Sequence, residues 1–482
     1  MLYHKDICRS RYLFFVVLLF FISCKKSNSQ TVSPSLPAAQ GTPIQLQVNS
    51  SAPGNAVPDN FMGLSFEMTA ITDSNYFNTS NTAFIQLIKN LGTGILRIGA
   101  NGVDKTFWCN HVRDATTGKD SIATTDIDRF SNFTNAVGWN VIFGLNIGGS
   151  FNLATATSEA GYVYKTMGSK IQSIEVGNEP DLYSHNGFRT PSYSSGDFEN
   201  EWNQYYQSIH AAYPGMAFSG PAVAYNKTWL SSFANAEGSK LNMLTIHYYQ
   251  GGPGTNPSIN LNTLLSQHAD SLMTNFGNSV AAIAATASLP LRVAECNSIY
   301  GGGKSGVSNS FGSSLWAIDY MWRLAYSGCK GFNFHGGGNG PYSPIGETSG
   351  SFFAKPEYYS MLFFKDGSSG NILPVSLNNS GLNVSAYACK GRDGNIYVSI
   401  VNKEANTPVA VNIQSGVAAH TVTLETLTGP SLEATSGLNI SGKTINNDGS
   451  ITTSTLPVYS VQSSIFSVNV PSSSAMLVII HP

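Results

Sequence analysis

The chain has 482 residues, more than one hydrophobic core usually organises, so a large domain with a smaller companion is expected. Hydrophobic residues make up 42% of it and charged residues 11%, with a formal net charge of −2. That balance excludes a disordered chain and a polyanion-binding one, and with the latter nucleic acid as a partner.

At the N-terminus, Lys5, Arg9 and Arg11 precede the apolar run YLFFVVLLFFI, which is about half the length needed to cross a bilayer. Residues 1–23 are therefore expected to be a signal peptide. Its end, Phe21-Ile22-Ser23-Cys24, resembles a bacterial lipobox, in which the cysteine is lipidated and becomes the first mature residue. An ordinary secretory signal is the alternative. On the lipobox reading Cys24 anchors the protein to a membrane of the bacterial cell envelope, periplasmic or at the outer-membrane surface. Residues 24–42 are polar and rich in Ser and Pro, as a flexible tether should be. Cys109, Cys296, Cys329 and Cys389 are too scattered for a disulfide scaffold, and their spacing fits no zinc site.

The run IQLQVNS alternates polar and apolar residues, so residues 43–58 are expected to form a strand of a β-sandwich whose remainder comes later. Over residues 59–370, eight short apolar runs alternate with helix-like segments: FMGLSFEM, GILRIG, NVIFGLN, IQSIEV, MAFSG, MLTIHYY, LRVAE and GFNFH. The clearest helix is SNSFGSSLWAIDYMWRLAYSG, with Ser308 as a cap, Phe311, Leu315, Ile318, Met321, Trp322 and Ala325 on one stripe, and Gly328 after the last turn. Eight such repeats predict an α/β fold, a (β/α)8 TIM barrel. No GxGxxG or P-loop motif follows the first strand, so no nucleotide cofactor is expected. Residues 371–482 return to short alternating runs, NVSAYAC, NIYVSIVN, VAVNIQ, HTVTLETL, IFSVNV and AMLVIIH, which predict an antiparallel β-sandwich domain.

In such a barrel, side chains reach substrate from the C-terminal strand ends. Those ends carry Glu67, Arg97, Asn146, Asn178, Glu179, His247, Tyr249, Glu295 and His335. Glu179 follows the fourth run and Glu295 closes the seventh, so the two acids face each other across the barrel mouth. A glutamate at a strand end is, taken alone, more often an ion-pair partner than a catalyst. Two facing each other in Gly, Asn and Pro settings are what glycoside hydrolysis needs, one to protonate the leaving oxygen and one to attack carbon or activate water. His247 and Tyr249 point to the same side of an extended strand, where the tyrosine can donate to a carboxylate and hold it ionised. Arg97 can ion-pair with a site carboxylate.

The stretches VGNEPDLY, AECNSIYGGG, GVSNSFGSSLWAIDY and GFNFHGGG, with LRIGAN, FGLNIG, TIHYY and TLTGPSLEATSG, resemble the β-glucuronidase and heparanase family of retaining glycoside hydrolases. The resemblance covers most of the chain past residue 42. It implies that Glu179 is the general acid/base, Glu295 the nucleophile, and Asn178 the ligand of the sugar 2-hydroxyl. It further implies that Tyr300, through its hydroxyl, and Gly301 and Gly302, through backbone N–H groups, hold the C6 carboxylate of glucuronic acid. Converging amides can hold an anion only where no side chain blocks them, which gives the glycines a physical reason. The second strand ends in IGANG, where family members often carry paired glycines, so Asn101 and Asp104 receive no assigned role. The expected substrate is a carbohydrate containing glucuronic acid; the rival readings are a barrel glycosidase for a neutral sugar and a non-catalytic glycan-binding lipoprotein.

Overall fold

The eight apolar runs form the eight strands of a closed parallel barrel: Gly63–Glu67, Ile95–Gly99, Asn140–Leu145, Ile171–Val176, Phe218–Val223, Met243–Gly251, Leu291–Ile299 and Gly331–His335. Each pairs with the next, and the eighth closes on the first through Phe334 opposite Leu64 and His335 opposite Ser65. These runs are continuously apolar because the strands are buried on both faces, against helices outside and barrel filling inside. Ile95–Gly99 and Leu291–Ile299, for example, are buried at every position. The computed structural model describes residues 33–482; the expected signal peptide and Cys24 lie outside the described residues.

The helix expected around residues 308–328 runs from Phe311 to Ser327, and its cap is Ser310, whose side chain accepts the Ser313 N–H, rather than Ser308. Gly328 follows in the left-handed conformation, φ +91°, which suits a residue without Cβ. The single apolar stripe read from the sequence is too narrow a description, since nearly every position of this helix is buried. One side packs toward the barrel, where Trp316 lies near Phe334, and another toward the β-domain, where Trp322 stacks on Tyr387 at 5.7 Å.

The β-domain sheet runs in the order Gly370–Leu373, Val384–Gly391, Ile396–Asn402, Ser474–His481, Val409–Thr428, Thr42–Val48, Val375–Asn378. Two expected strands, VAVNIQ and HTVTLETL, are halves of the one strand Val409–Thr428. Gly416, at φ +72°, lies where its register breaks. The first half pairs with Thr42–Val48 and the second with Ser474–His481, so this strand changes partners midway and the sheet folds over one apolar core. Ile44, Leu46 and Val48 enter that core from the N-terminal strand, each contributing about 1.5–3 kcal/mol by burial. Their strand runs parallel to Val409–Thr428, so the sheet is mostly rather than wholly antiparallel.

Candidate active site

Glu179 and Glu295 reach the barrel mouth from the fourth and seventh strands by two different backbone devices. Glu179 lies just past Ile171–Val176, at φ +52°, a left-handed conformation costly for a residue with a side chain. Its N–H donates to the Ala222 carbonyl at 2.9 Å, and Pro180 starts a short 3-10 turn after it. Glu295 sits where the seventh strand shifts register against both neighbours. Such a bulge re-aims a side chain.

The partners of the two acids differ in kind. Glu295 Oε2 accepts from Arg97 Nη1 at 2.7 Å, and Oε1 accepts from the Tyr249 hydroxyl at 2.8 Å. Arg97 has no exposed surface and also donates Nε to Glu175 at 2.7 Å and Nη2 to Asn178 Oδ1 at 2.9 Å. Glu175 in turn accepts from the Thr245 hydroxyl. Among the described residues the Glu179 carboxyl hydrogen-bonds only to His247, whose Nδ1 lies 2.9 Å from Oε1. Burial opposes a charge on Glu295, but His335, His247, Arg97 and the Tyr249 hydrogen bond outweigh it and hold the carboxyl down at about 2. Burial first and the Glu295 charge second push Tyr249 well above the ordinary phenol range, so it remains a donor. His335 is lowered by burial but raised more by Glu295 and Glu67, with a net upward shift.

Ligand-binding capacity is left over. Asn178 Nδ2 and His247 Nε2 are buried without a hydrogen-bond partner among the described residues, beside the two acids. Tyr300 is 45% exposed, and Gly301 and Gly302 have φ of +75° and +92°, where a side chain would be strained although space for it exists. All three line a cleft of about 1150 Å³ with Glu67, His247 and Tyr249. Glu67 Oε2 accepts the Gly102 N–H at 2.5 Å, and its other oxygen lies 3.7 Å from His335 Nε2.

Two expected substrate contacts are kept out of the cleft: Arg97, which is fully buried and directs its donors to Glu175, Glu295 and Asn178, and Asn146. The Asn146 amide donates to the Thr106 carbonyl, and its oxygen accepts the Gly149 and Ser150 N–H groups, so it shapes its own loop. Asp104 is scaffold as well, gathering the N–H groups of Ile147, Gly148 and Asn178 and the Tyr183 hydroxyl on one buried carboxyl. Lys304 donates to the Asn256 and Ile259 carbonyls and so braces the loop.

Sequence reasoning missed Glu175 and Tyr342. A lone charge inside IQSIEV demands a buried partner, and Arg97 was available to supply it. Tyr342 lies seven residues beyond the last strand end and carried no strand signal; its ring packs 6.2 Å from Tyr249 and 5.8 Å from His335.

Glu179, His247 and Glu295 offer ligand atoms all within 4.8 Å of one another, a spacing compatible with a cation. The guanidinium already seated on Glu295 supplies positive charge there and disfavours a second one. Two carboxylates this close, one ionised and one on an imidazole, can act as nucleophile and proton carrier on a bond placed between them.

Residues 118–322 match the family model described as "Glycosyl hydrolase family 79, N-terminal domain". A β-glucuronidase from Neurospora crassa is 27% identical over 366 residues, 66% of this chain and 64% of that one. The chain thus spans under two thirds of that relative's length. A β-glucuronidase from Aspergillus niger is 25% identical over 424 residues, 78% of each chain. Among solved structures, a 4-O-α-L-rhamnosyl-β-D-glucuronidase from Fusarium oxysporum superposes with a TM-score of 0.73 at 20% identity, covering 90% of this chain and 99% of that one. A family 51 arabinofuranosidase from Xanthomonas axonopodis gives 0.70 at 15% identity, covering 91% and 100%.

Proposed function

Because this chain belongs to the β-glucuronidase and heparanase-like family of glycoside hydrolases, we propose that it cleaves β-linked glucuronic acid from glycans or glycoconjugates with retention of configuration. The observation that carries this reading is the pair Glu179 and Glu295, with carboxylate oxygens within 4.8 Å and opposite surroundings. Retention needs carboxyl groups about 5–5.5 Å apart, whereas inversion needs about 6.5–9.5 Å to admit water between acid and base.

Glu295, ionised against Arg97 and Tyr249, attacks the anomeric carbon. Glu179 gives its proton to the departing oxygen, steadied by His247 Nδ1, then takes a proton from the water that releases the sugar. Asn178 Nδ2, without a hydrogen-bond partner among the described residues, is the proposed donor to the sugar 2-hydroxyl, and its oxygen is fixed by Arg97. Tyr300 and the N–H groups of Gly301 and Gly302 form the proposed C6 carboxylate clamp. Glu295→Gln should abolish release of 4-nitrophenol from its β-glucuronide while circular dichroism stays native; a variant with substantial turnover would refute the assignment.

The barrel likeness to an arabinofuranosidase keeps a neutral sugar as the second reading. A neutral sugar offers the clamp nothing to bind, so higher activity on a β-xyloside or arabinofuranoside than on the β-glucuronide would favour it. We also propose, from the sequence alone, that Cys24 is lipidated and that the protein is held at a membrane of the bacterial cell envelope. Mass spectrometry of the mature N-terminus tests this, and an unmodified start at any other residue would refute it.

A further inference from the structure

We propose that the cleft continues past Glu179 into a leaving-group subsite built on Tyr225 and Leu272, which takes an uncharged ring and disfavours a sulfated one. This deepens the glucuronidase reading and rests on it, since it names what the sugar is attached to.

Hydrogen bonding fixes where that subsite lies. The segment bearing Tyr225 is tied twice to the acid/base: Glu179 N–H donates to the Ala222 carbonyl, and Ala224 N–H donates to Asp181 Oδ1, both at 2.9 Å. The proton carrier must stand beside the glycosidic oxygen, so whatever lies beyond Glu179 faces the leaving group. There the cleft wall includes Leu182, His185, Ala224, Tyr225 and Leu272.

Tyr225 is 49% exposed and sits at φ +76°. A bulky residue in that region is strained, and glycine would adopt it freely, so the ring itself is what the position retains. The ring is backed by Phe276 at 5.6 Å and 16° and by Tyr248 at 5.7 Å, which fixes it as a platform. Leu272, 42% exposed, continues the apolar surface from helix Gln267–Thr286. A flat aromatic face beside an aliphatic one suits the C–H face of a sugar or an aryl ring.

Charge decides against a sulfated occupant. Glu67, Asp73, Glu179 and Glu295 line the cleft with His185, His247 and His335; the last two stand against Glu179 and Glu67, and among the described residues no lysine or arginine lines it. Lys227 lies over the Tyr225 ring at 5.8 Å and is not part of the lining, while Lys304 is engaged with carbonyls. The glucuronate carboxylate can be held by neutral donors at the Tyr300 loop. A second anion on the leaving group would meet carboxylates with no lysine or arginine in the lining to offset them.

Four β-glucuronides separate the possibilities: methyl, phenyl, and two disaccharides whose reducing sugar is neutral in one and sulfated in the other. The wild type should prefer the neutral disaccharide over its sulfated form by at least about tenfold in kcat/KM. Tyr225→Ala and, independently, Leu272→Ala should lower kcat/KM for the phenyl and neutral disaccharide substrates by about tenfold relative to their effect on the methyl glycoside. Comparing the phenyl substrate with the disaccharide tells an aryl-adapted subsite from a sugar-adapted one. Equal cleavage of the sulfated substrate, or equal losses on all substrates in both variants, would overturn the proposal. If the wild type cleaved no β-glucuronide, the parent reading would fall instead. Calorimetric binding of phenyl glycosides to wild type and Tyr225→Ala would then judge the platform, with equal affinities overturning it.

Discussion

Arg97 and Glu295 meet at 2.7 Å, and the guanidinium that holds the carboxylate has no exposed surface. The same side chain neutralises Glu175 at 2.7 Å, so one cation serves two buried acids. Arg97→Met would leave both carboxylates buried and unpaired, a loss of about 3–5 kcal/mol in urea unfolding. Activity should fall at least about 100-fold, because Asn178 also loses its anchor. Wild-type stability in this variant would mean that the two acids are held by other partners.

Tyr249→Phe tests how Glu295, the proposed nucleophile, stays ionised. Burial raises Glu295, and His335, His247, Arg97 and the Tyr249 hydroxyl bring it down to about 2. Removing a hydrogen bond to a charged group, about 1.5–3 kcal/mol, should move the carboxyl up by about one to two pH units. The acidic limb of kcat/KM, which reports the free enzyme, should then move up with it. Stability follows the same sign. The folded value lies below the ordinary 4.5, so the contribution is present above that pH and lost as pH falls toward about 2. In the variant that loss is complete at a higher pH, measurable by urea unfolding between about pH 2 and pH 5.

Tyr300→Phe isolates the proposed carboxylate clamp. A hydroxyl bound to a charged group contributes about 1.5–3 kcal/mol, so kcat/KM for a β-glucuronide should fall about 10–100-fold. The matching β-glucoside, which lacks the C6 carboxylate, should lose far less. Assays of both substrates on both enzymes give the ratio directly, and equal losses would remove Tyr300 from the clamp.

The barrel could be read from the sequence because strands buried on both faces need continuous apolar runs, and each of the eight lies where its run does. Facing acids were equally legible, since strand order alone places Glu179 opposite Glu295. Side-chain direction was not. Asn146 stands at a strand end like Asn178, yet its amide closes a loop, because the direction depends on which backbone groups nearby lack partners. The sharing of Arg97 between Glu175 and Glu295 joins three non-consecutive strands, a relation that no local pattern encodes. In sequence Val409–Thr428 looks like two strands because Gly416 interrupts its alternation, while the hydrogen-bonded neighbours that keep it one strand are distant in sequence.

Lys403 links the β-domain to the barrel helices. Its buried ammonium meets Asp319 at 2.6 Å and Asp270 at 2.5 Å, and Ser385 and Tyr387 also donate to Asp319. Lys403→Met should cost about 3–5 kcal/mol, since it strands a charge. Lys403→Met with Asp319→Leu should cost less than the sum of the two single changes, by about 0.5–3 kcal/mol. Thermal or urea unfolding of the four proteins measures the coupling, and strict additivity would show that the pair does not act as a unit.

Glu179→Ala distinguishes the proton carrier from the nucleophile. Protonation matters most when the leaving group is a poor one, so kcat/KM on the methyl glucuronide should fall about 10²–10⁴-fold. On the 4-nitrophenyl glucuronide, whose phenolate departs readily, the first step should be nearly intact, and the defect should appear in the water-dependent second step. A burst of 4-nitrophenol followed by slow turnover would show the accumulated intermediate on Glu295. Azide needs no base, and it would enter through the space left at residue 179, on the face from which the aglycone departed. The product should therefore be the β-glucuronyl azide, with rate restored, and nuclear magnetic resonance identifies the anomer. The α-azide would instead make Glu179 the nucleophile and reverse the two roles.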